Sequence, residues 1–527
     1  MIKRRQKIKQ KKDQVFKENI STDYQQHLFK DLETNRSHLL KILGNSSDII
    51  IREFQLGKIH STKAIIIFMD GLVDKETVQH YLLNPLIDNV RGIELDESLQ
   101  DAATLYQLIK YSITTAELSE IDHFKKLLEH LLTGDTVLLI DGINQGFAVG
   151  SKGASERNVE TPTTQQVVRG PKDSFTENLN VNTALIRKRI KDPNLWLESF
   201  TYGRKTQTTV TIAYIHGIVN PDIVKEVKSR LEKIDIDSIL ESGYVEELIQ
   251  DETYTPFPTI INSERPDAIS AGLLEGRVAI IVDGTPFVLL VPSFFIDFFQ
   301  SSEDYYQRSD IASLIRMLRF FAFFLALLTP STYIALTTFH QEMIPTTLLV
   351  SLAAQREGIP FPALVEALIM EITFELLREA GIRLPNPVGS TISIVGALVL
   401  GQAAVDAGIV SATMVIVVSL TAISSFIFPN YNLAISVRML RFGFMGLAAT
   451  LGLFGIFIGL LLMALHLTSL RSFGIPYLSP FAPFNSADQQ DAIIRLPRWK
   501  QTTRPRLMSQ RNIKREKMKK PQPPNNS

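Results

Sequence analysis

The stretch Phe320–Phe339, FFAFFLALLTPSTYIALTTF, decides how the chain must be read. Its twenty uncharged residues span about 30 Å as a helix, the thickness of a bilayer's hydrocarbon core. Three further uncharged stretches follow: Val388–Val405, Ala407–Val437 and Phe442–Leu470. Backbone polar groups in lipid must be satisfied within the segment, so each is predicted to be helical. Four such runs this close together argue against core helices of a soluble protein. They predict an all-α, multi-pass transmembrane domain over residues 316–470. From Phe320 to Leu470 there are seven acidic and five basic residues in 151 positions, whereas 21% of the whole chain is charged. A drop that large marks a change of solvent.

Between the first two spans the pattern changes. Met343–Gln355 is uncharged but too short to cross, and Phe361–Ala380 is helical in pattern yet carries Glu366, Glu371, Glu375, Arg378 and Glu379. Glu371, Glu375 and Glu379 recur at i, i+4 and i+8, so they share one helix face. The two segments together read as a helical hairpin that re-enters the membrane or lies at its surface. Downstream, residues 471–527 form a basic tail: from Asp491 onward there are eleven Lys/Arg against two acidic residues. Arg316 and Arg319 stand just before the first span. The positive-inside rule then places both flanks in the cytoplasm, which requires an even number of crossings, and four satisfies it. Arg438 and Arg441, between the last two stretches, would lie on the opposite side.

Upstream the chain reads as water-soluble. Its 55 basic and 55 acidic residues cancel, so the global positive charge of a nucleic-acid binder is missing. No cysteine is present, which removes disulfides, thiolate nucleophiles and cysteine-held metals. Residues 1–49 form a basic extension, expected to be partly disordered; Met1–Lys12 carries seven Lys/Arg with no apolar run behind them. A duplication follows. Ala64-IIIFMDGLVD-Lys75 and Thr211-IAYIHGIVNPD each run a hydrophobic strand into a glycine turn and an amphipathic helix. Later, Leu132-TGDTVLLIDG and Leu274-EGRVAIIVDG each place a glycine seven residues before an Asp-Gly turn, Asp141-Gly142 and Asp283-Gly284. Asp-Gly between hydrophobic runs signals a hairpin. Two related α/β subdomains are expected, at 50–155 and 201–315.

The linker, residues 156–200, contains Arg169-Gly170-Pro171, then Phe175 and Asn178, then a helical stretch with Arg187, Lys188 and Arg189. Arginines beside a glycine turn suit an anion. The preferred reading is plainer: charged side chains that staple the subdomains together or dock on a membrane surface. Gly146-FAVGSK-Gly153 is not a nucleotide loop, because Ser151 separates the second glycine from the lysine that a Walker motif needs there.

From about residue 45 to 510 the chain resembles the A subunits of GerA-type spore germinant receptors of endospore-forming bacteria. The resemblance is carried by DGLVDK at Asp70–Lys75, the Leu139-IDG hairpin and RGPKDSFTENLNVNTALIRKRI. In the membrane half it is carried by ALTTFHQEMIPTTLL, FPALVEALIMEITFELLREAGIRLPNPVG, SIVGALVLGQAAVDAGIVS and LRSFGIPYLSPFAP. It implies one subunit of a receptor in the inner membrane of the dormant spore, with N-terminal domain and tail cytoplasmic. The implied partners are a transporter-like B subunit, a lipoprotein C subunit and further copies of the same chain. Nutrient binding would lead to ion release from the spore core, with this subunit contributing the ion path.

Glu371, Glu375, Glu379 and Asp406 are the candidate ion-path residues, because rings of carboxylates select cations and charges within membranes are costly. The plainer readings are the wetted face of an interfacial helix for the stripe and a surface turn for Asp406. A non-conducting scaffold that relays nutrient binding is the other functional class. No cofactor is expected, and an enzyme has no nucleophile–base pair, metal set or nucleotide loop behind it.

Overall fold

The computed structural model describes residues 24–56, 62–86, 106–107, 109–111, 113, 117–153, 161–383, 400–486, 488–509, 512–515 and 520–521. The chain divides into two units, one of residues 1–250, 260–292 and 502–527, the other of residues 251–259 and 293–501.

The first unit contains two five-stranded sheets built to one plan. In chain order the elements of the first repeat are α1 (Leu32–Ile42), β1 (Ile49–Leu56), β2 (Thr62–Met69), β3 (Leu118–Ile121), α2 (Phe124–Thr133), β4 (Thr136–Ile140) and β5 (Gly146–Val149). The second repeat has α3 (Leu179–Arg189), β6 (Leu195–Tyr202), β7 (Thr208–Ile215), α4 (Pro221–Leu231), α5 (Ser242–Ile249), β8 (Ile261–Ser263), α6 (Pro266–Glu275), β9 (Val278–Val282) and β10 (Val288–Val291). The strand orders, β1-β2-β4-β5-β3 and β6-β7-β9-β10-β8, correspond strand for strand, and all pairings are antiparallel. α2 and α6 end at Gly134 (φ +95°) and Gly276 (φ +97°), a left-handed geometry that costs a residue with a Cβ.

Each Asp-Gly turn has a second task. Asp141 Oδ1 accepts from the first helical N–H of α1, Leu32, at 3.1 Å, and Asp283 Oδ1 accepts from that of α3, Leu179, at 3.1 Å. Asn35 and Asn182 are likewise equivalent, each exchanging two hydrogen bonds with the backbone of the residue six positions earlier, Phe29 and Thr176. Each repeat therefore begins with a helix. The expected starts at 50 and 201 miss both helices, and the second also cuts β6. The expected linker, residues 156–200, contains the opening helix of the second repeat, with Phe175, Leu185, Ile186 and Ile190 in that repeat's core. The basic tail is not free either. Beyond residue 501 it packs on the second repeat, with Met508 and Ser509 fully buried and the Arg504 Nε–H donating to the Leu274 carbonyl at 2.8 Å.

Glu246 on α5 introduces a pH dependence into this unit. Burial pushes its carboxyl up to about 7, with the charge of Glu241 adding to the effect and a bond from Asn262 opposing it. A raised carboxyl pKa means the folded state holds more protons than the unfolded one between the ordinary carboxylate range and neutrality. Stability should thus fall as pH rises through that window. Melting curves of the E246Q variant should lose this slope between pH 5 and 7.

The second unit is mostly helical. α7 (Ser309–Thr338), α8 (Thr346–Arg356), α9 (Ala363–Arg383), α10 (Ala412–Phe426) and α11 (Tyr431–Ser469) follow in order. Two of them, α7 and α11, are long and apolar enough to cross a membrane, with mean hydropathies of 2.0 and 2.4 in their most apolar windows. The expected span boundaries need correction. Residues 384–399, most of the Val388–Val405 stretch, lie outside the described residues. Ala407–Val437 is not one helix. It breaks at Phe428-Pro429-Asn430, because proline disfavours helix in the residue before it, and Asn430 Oδ1 then caps α11 by accepting from Asn432 N at 3.0 Å.

Phe442–Leu470 is not one straight span either. Gly452 has φ +63° and ψ −141° and divides α11 into residues 431–451 and 453–469. A Cβ at Gly459 would come within 2.7 Å of the Phe444 ring, and one at Gly455 within 2.2 Å of the Leu447 carbonyl. Residues 444 and 459 would stand about 22 Å apart along a straight helix. The two halves are therefore folded back on each other. The bend sits at the end of α7, where a Cβ on Gly452 would meet His340 at 2.6 Å and Phe339 at 3.0 Å. The second half returns toward the start of α7: His466 lies 2.8 Å from Thr255 Oγ1, and its ring joins a chain of aromatic contacts through Phe257 and Phe295 to Phe323.

Candidate functional site

The charges of the helical unit are organised around a proline. Pro330, inside α7, has no N–H for the carbonyl four residues earlier, Ala326. Arg441 on α11 supplies the missing donor: its Nε–H reaches Ala326 O at 2.8 Å. Its Nη1 donates to Glu371 Oε2 on α9 at 2.5 Å. One guanidinium thus holds three helices. Both partners are shut off from solvent, Arg441 being 1% and Glu371 0% exposed. An isolated buried charge is very costly, so each ion here requires the other.

One turn further along, Arg438 Nη1 lies 3.4 Å from Glu375 Oε2, which also accepts from Arg378 Nη2 at 2.6 Å. One turn before Glu371, the fully buried Glu366 accepts from the Ser411 N–H at 2.5 Å and from the Ser411 hydroxyl. That bond ties α9 to the start of α10, which Ser411 also caps. Glu379, in contrast, is exposed and bonded to Arg383 of its own helix at 2.6 Å.

These placements differ from the sequence expectation. The stripe is not uniformly wetted: Glu371 faces the helix core, Glu375 is half-buried between two arginines, and only Glu379 is exposed. Arg438 and Arg441 do not sit in a loop but inside α11, buried and paired. Their position therefore casts no vote on which side of a membrane they occupy. Asp406 closes a short helical stretch, residues 400–406, where it is exposed and bonded to Gln402 at 2.9 Å. No hydrogen bond or ion pair joins it to the three glutamates among the described residues. Arg441, Glu366 and Ser411 were not singled out from sequence, although Pro330 in an apolar run signals an orphaned carbonyl.

A second cluster lies in the N-terminal unit. Arg187 on α3 crosses to the first repeat, donating from Nε to Asp48 Oδ2 at 2.7 Å and from Nη2 to Asp48 Oδ1 at 3.1 Å and Ser46 Oγ at 3.0 Å. Ser46 Oγ in turn accepts from the Leu197 N–H of β6 at 2.9 Å. Arg187 and Asp48 are buried, at 1% and 7% exposed. The other linker residues act locally. Asn178 caps α3, Arg189 binds Asp173 at 2.5 Å, and Phe175 fills the second core. The Pro171 carbonyl accepts from Arg265 at 3.0 Å. Gly170 adopts φ +147°, and Arg169 is exposed to solvent. The arrangement does not bring Arg169, Arg187 and Arg189 onto one anion.

Both clusters lie within one family profile, described as the Bacillus/Clostridium GerA spore germination protein, which matches residues 37–507. The chain belongs to this family. It is 49% identical to spore germination protein KA of Bacillus subtilis (strain 168), over 93% of this chain and 89% of that one. It is also 45% identical to the membrane protein YfkQ of the same strain, whose function is uncharacterized, over 92% of each chain. Among solved structures, the N-terminal domain of the A subunit of the Bacillus megaterium spore germinant receptor GerK3 is 44% identical. It matches 51% of this chain and 98% of its own length with a TM-score of 0.41.

Proposed function

We propose that this chain is the A-type subunit of a nutrient-sensing germinant receptor, embedded in the spore inner membrane and coupling nutrient binding to ion release. The observation that carries this reading is the family match, which runs unbroken through the duplicated domain and the helical unit. Membrane embedding draws on the apolar helices. α7, α10 and the two halves of α11 make four passes, with the last half of α11 returning to the end at which α7 begins. An even count leaves the N-terminal unit and the tail on one side, taken as the cytoplasm. The partners in this reading are a transporter-like B subunit, a lipoprotein C subunit and other copies of the chain. It is not an enzyme.

Within that role, the geometry favours relay over conduction for the glutamate stripe. Glu371 and Glu375 are neutralised by arginines of the same chain, so they serve as latches between helices. Glu379, paired with Arg383 on its own helix, and Asp406, bonded to Gln402, are the exposed carboxylates of the candidate ion-path set. Cation flux through vesicles holding the reconstituted receptor separates the two: E379Q/D406N should reduce cation selectivity if they line the path. Unchanged conductance and selectivity in that variant would remove the ion-path assignment and leave the scaffold. Affinity capture of this chain from spore membranes should bring down the B and C subunits.

A further inference from the structure

The start of α7 carries more positive charge than its own carboxylates answer. Arg316 Nε and Arg319 Nη1 both bind Asp304 Oδ2, at 2.8 and 2.7 Å, and Arg316 Nη1 binds Asp491 Oδ1 at 2.7 Å. The guanidiniums of Arg316, Arg495 and Arg498 surround the Tyr305 ring at 5.3, 5.6 and 5.3 Å from its centre. Four arginines thus face two aspartates, and two residues beyond Arg498 the exposed Lys500 lies 5.1 Å from the Trp499 ring. Nearby Arg308 is already answered by Asp310 at 2.8 Å. Arg495 is only 4% exposed, and its Nε makes no hydrogen bond among the described residues. Burial, followed by repulsion from Arg498, draws its pKa below the ordinary arginine value.

The location of this collar suggests its counter-ion. α7 has 30 residues, about 45 Å, some 15 Å more than a hydrocarbon core requires. If Phe320–Phe339 spans the core, the arginines stand at headgroup depth. Leu314, Leu318 and Phe321, on the face of α7 opposite Arg316 and Arg319, expose 65%, 51% and 60% of their surfaces, and Ile494, on the segment that carries Arg495 and Arg498, exposes 53%. The exposed Arg498 and Lys500 at that depth match the headgroup of an anionic lipid, with the exposed Ile494 of the same segment available to its acyl chain.

We propose that residues 494–500, laid against the start of α7, form a binding site for an anionic phospholipid, with Arg498 and Lys500 meeting its phosphate. The proposal rests on the membrane reading above. Its test uses the full chain in nanodiscs of phosphatidylcholine with and without phosphatidylglycerol, followed by native mass spectrometry of retained lipid and by thermal unfolding. Phosphatidylglycerol should be retained and should raise the unfolding midpoint. In R498Q/K500Q its affinity should fall roughly 30-fold, about five-fold for each cation near an anionic headgroup. The charge-conserving R498K should keep the response. Equal phosphatidylglycerol retention in R498Q/K500Q and the wild type would overturn the site. So would inorganic phosphate in detergent giving the same stabilisation, since it would mark a site for the free anion. Failure of the wild-type chain to enter nanodiscs would instead overturn the membrane reading itself.

Discussion

Replacing Arg441 with leucine is expected to leave the helical unit unable to hold its fold. The substitution strands Glu371 as an unpaired carboxylate with no solvent contact and returns the Ala326 carbonyl to the orphaned state that Pro330 creates. Breaking a buried ion pair from one side costs about 3–5 kcal/mol, a large part of a typical domain's stability. R441L should therefore aggregate or lose its monodisperse peak on size exclusion in detergent. E371Q should be far milder, since an amide can still accept from Arg441. R441L/E371L should recover much of the loss, because removing both ions of a buried pair is often close to neutral. A thermal-shift series on the three proteins checks this order. Equal losses in R441L and R441L/E371L would mean that the ion pair is not what holds these helices.

The second large effect is expected in the N-terminal unit. Arg187→Leu leaves Asp48 buried beside only Ser46 and removes the charged bond that crosses between the repeats. About 3–5 kcal/mol is again at stake. The damage should appear as faster proteolysis between the repeats, at exposed sites around Val168 and Arg169. R187K should fall in between, because a single ammonium cannot reproduce the two-atom grip on the carboxylate. Limited proteolysis of the full-length protein in detergent, with fragments identified by mass, measures both. An unchanged cleavage rate in R187L would show that this ion pair is not what holds the repeats together.

Much of this architecture was legible in the sequence where local chemistry carries it. The paired glycines and Asp-Gly turns revealed the duplication, because a left-handed helix end and a tight hairpin each restrict the residues that can occupy them. The helix α3 was legible within the expected linker, but not its place as the opening of the second repeat, because it buries a nearly continuous surface, Asn182 through Arg187, and lacks a one-sided pattern that would assign it to a core. The shared signature of the two opening helices was present all the same, in Asp31 with Asn35 and Asn178 with Asn182. In the membrane half, composition identified the apolar mass but not its folds. The break before α11 was not read from the sequence, although Pro429 disfavours helix in the residue before it. The bend at Gly452 is hidden among equally plausible glycines at 446, 455 and 459, and what selects it is the packing of His340 and Phe339. Arg438 and Arg441 divide two uncharged stretches in the sequence, because charge in an apolar run reads as an end. Their partners lie some sixty to seventy positions away, a distance over which no local pattern speaks.

Spores lacking this chain decide whether it is a receptor subunit required for nutrient-triggered germination. Such spores should lose the release of core ions in response to at least one nutrient within a panel of amino acids, sugars and nucleosides. The wild-type chain should restore that response, whereas R441L should not. Ion release unchanged across the whole panel in the deleted spores would contradict the claim.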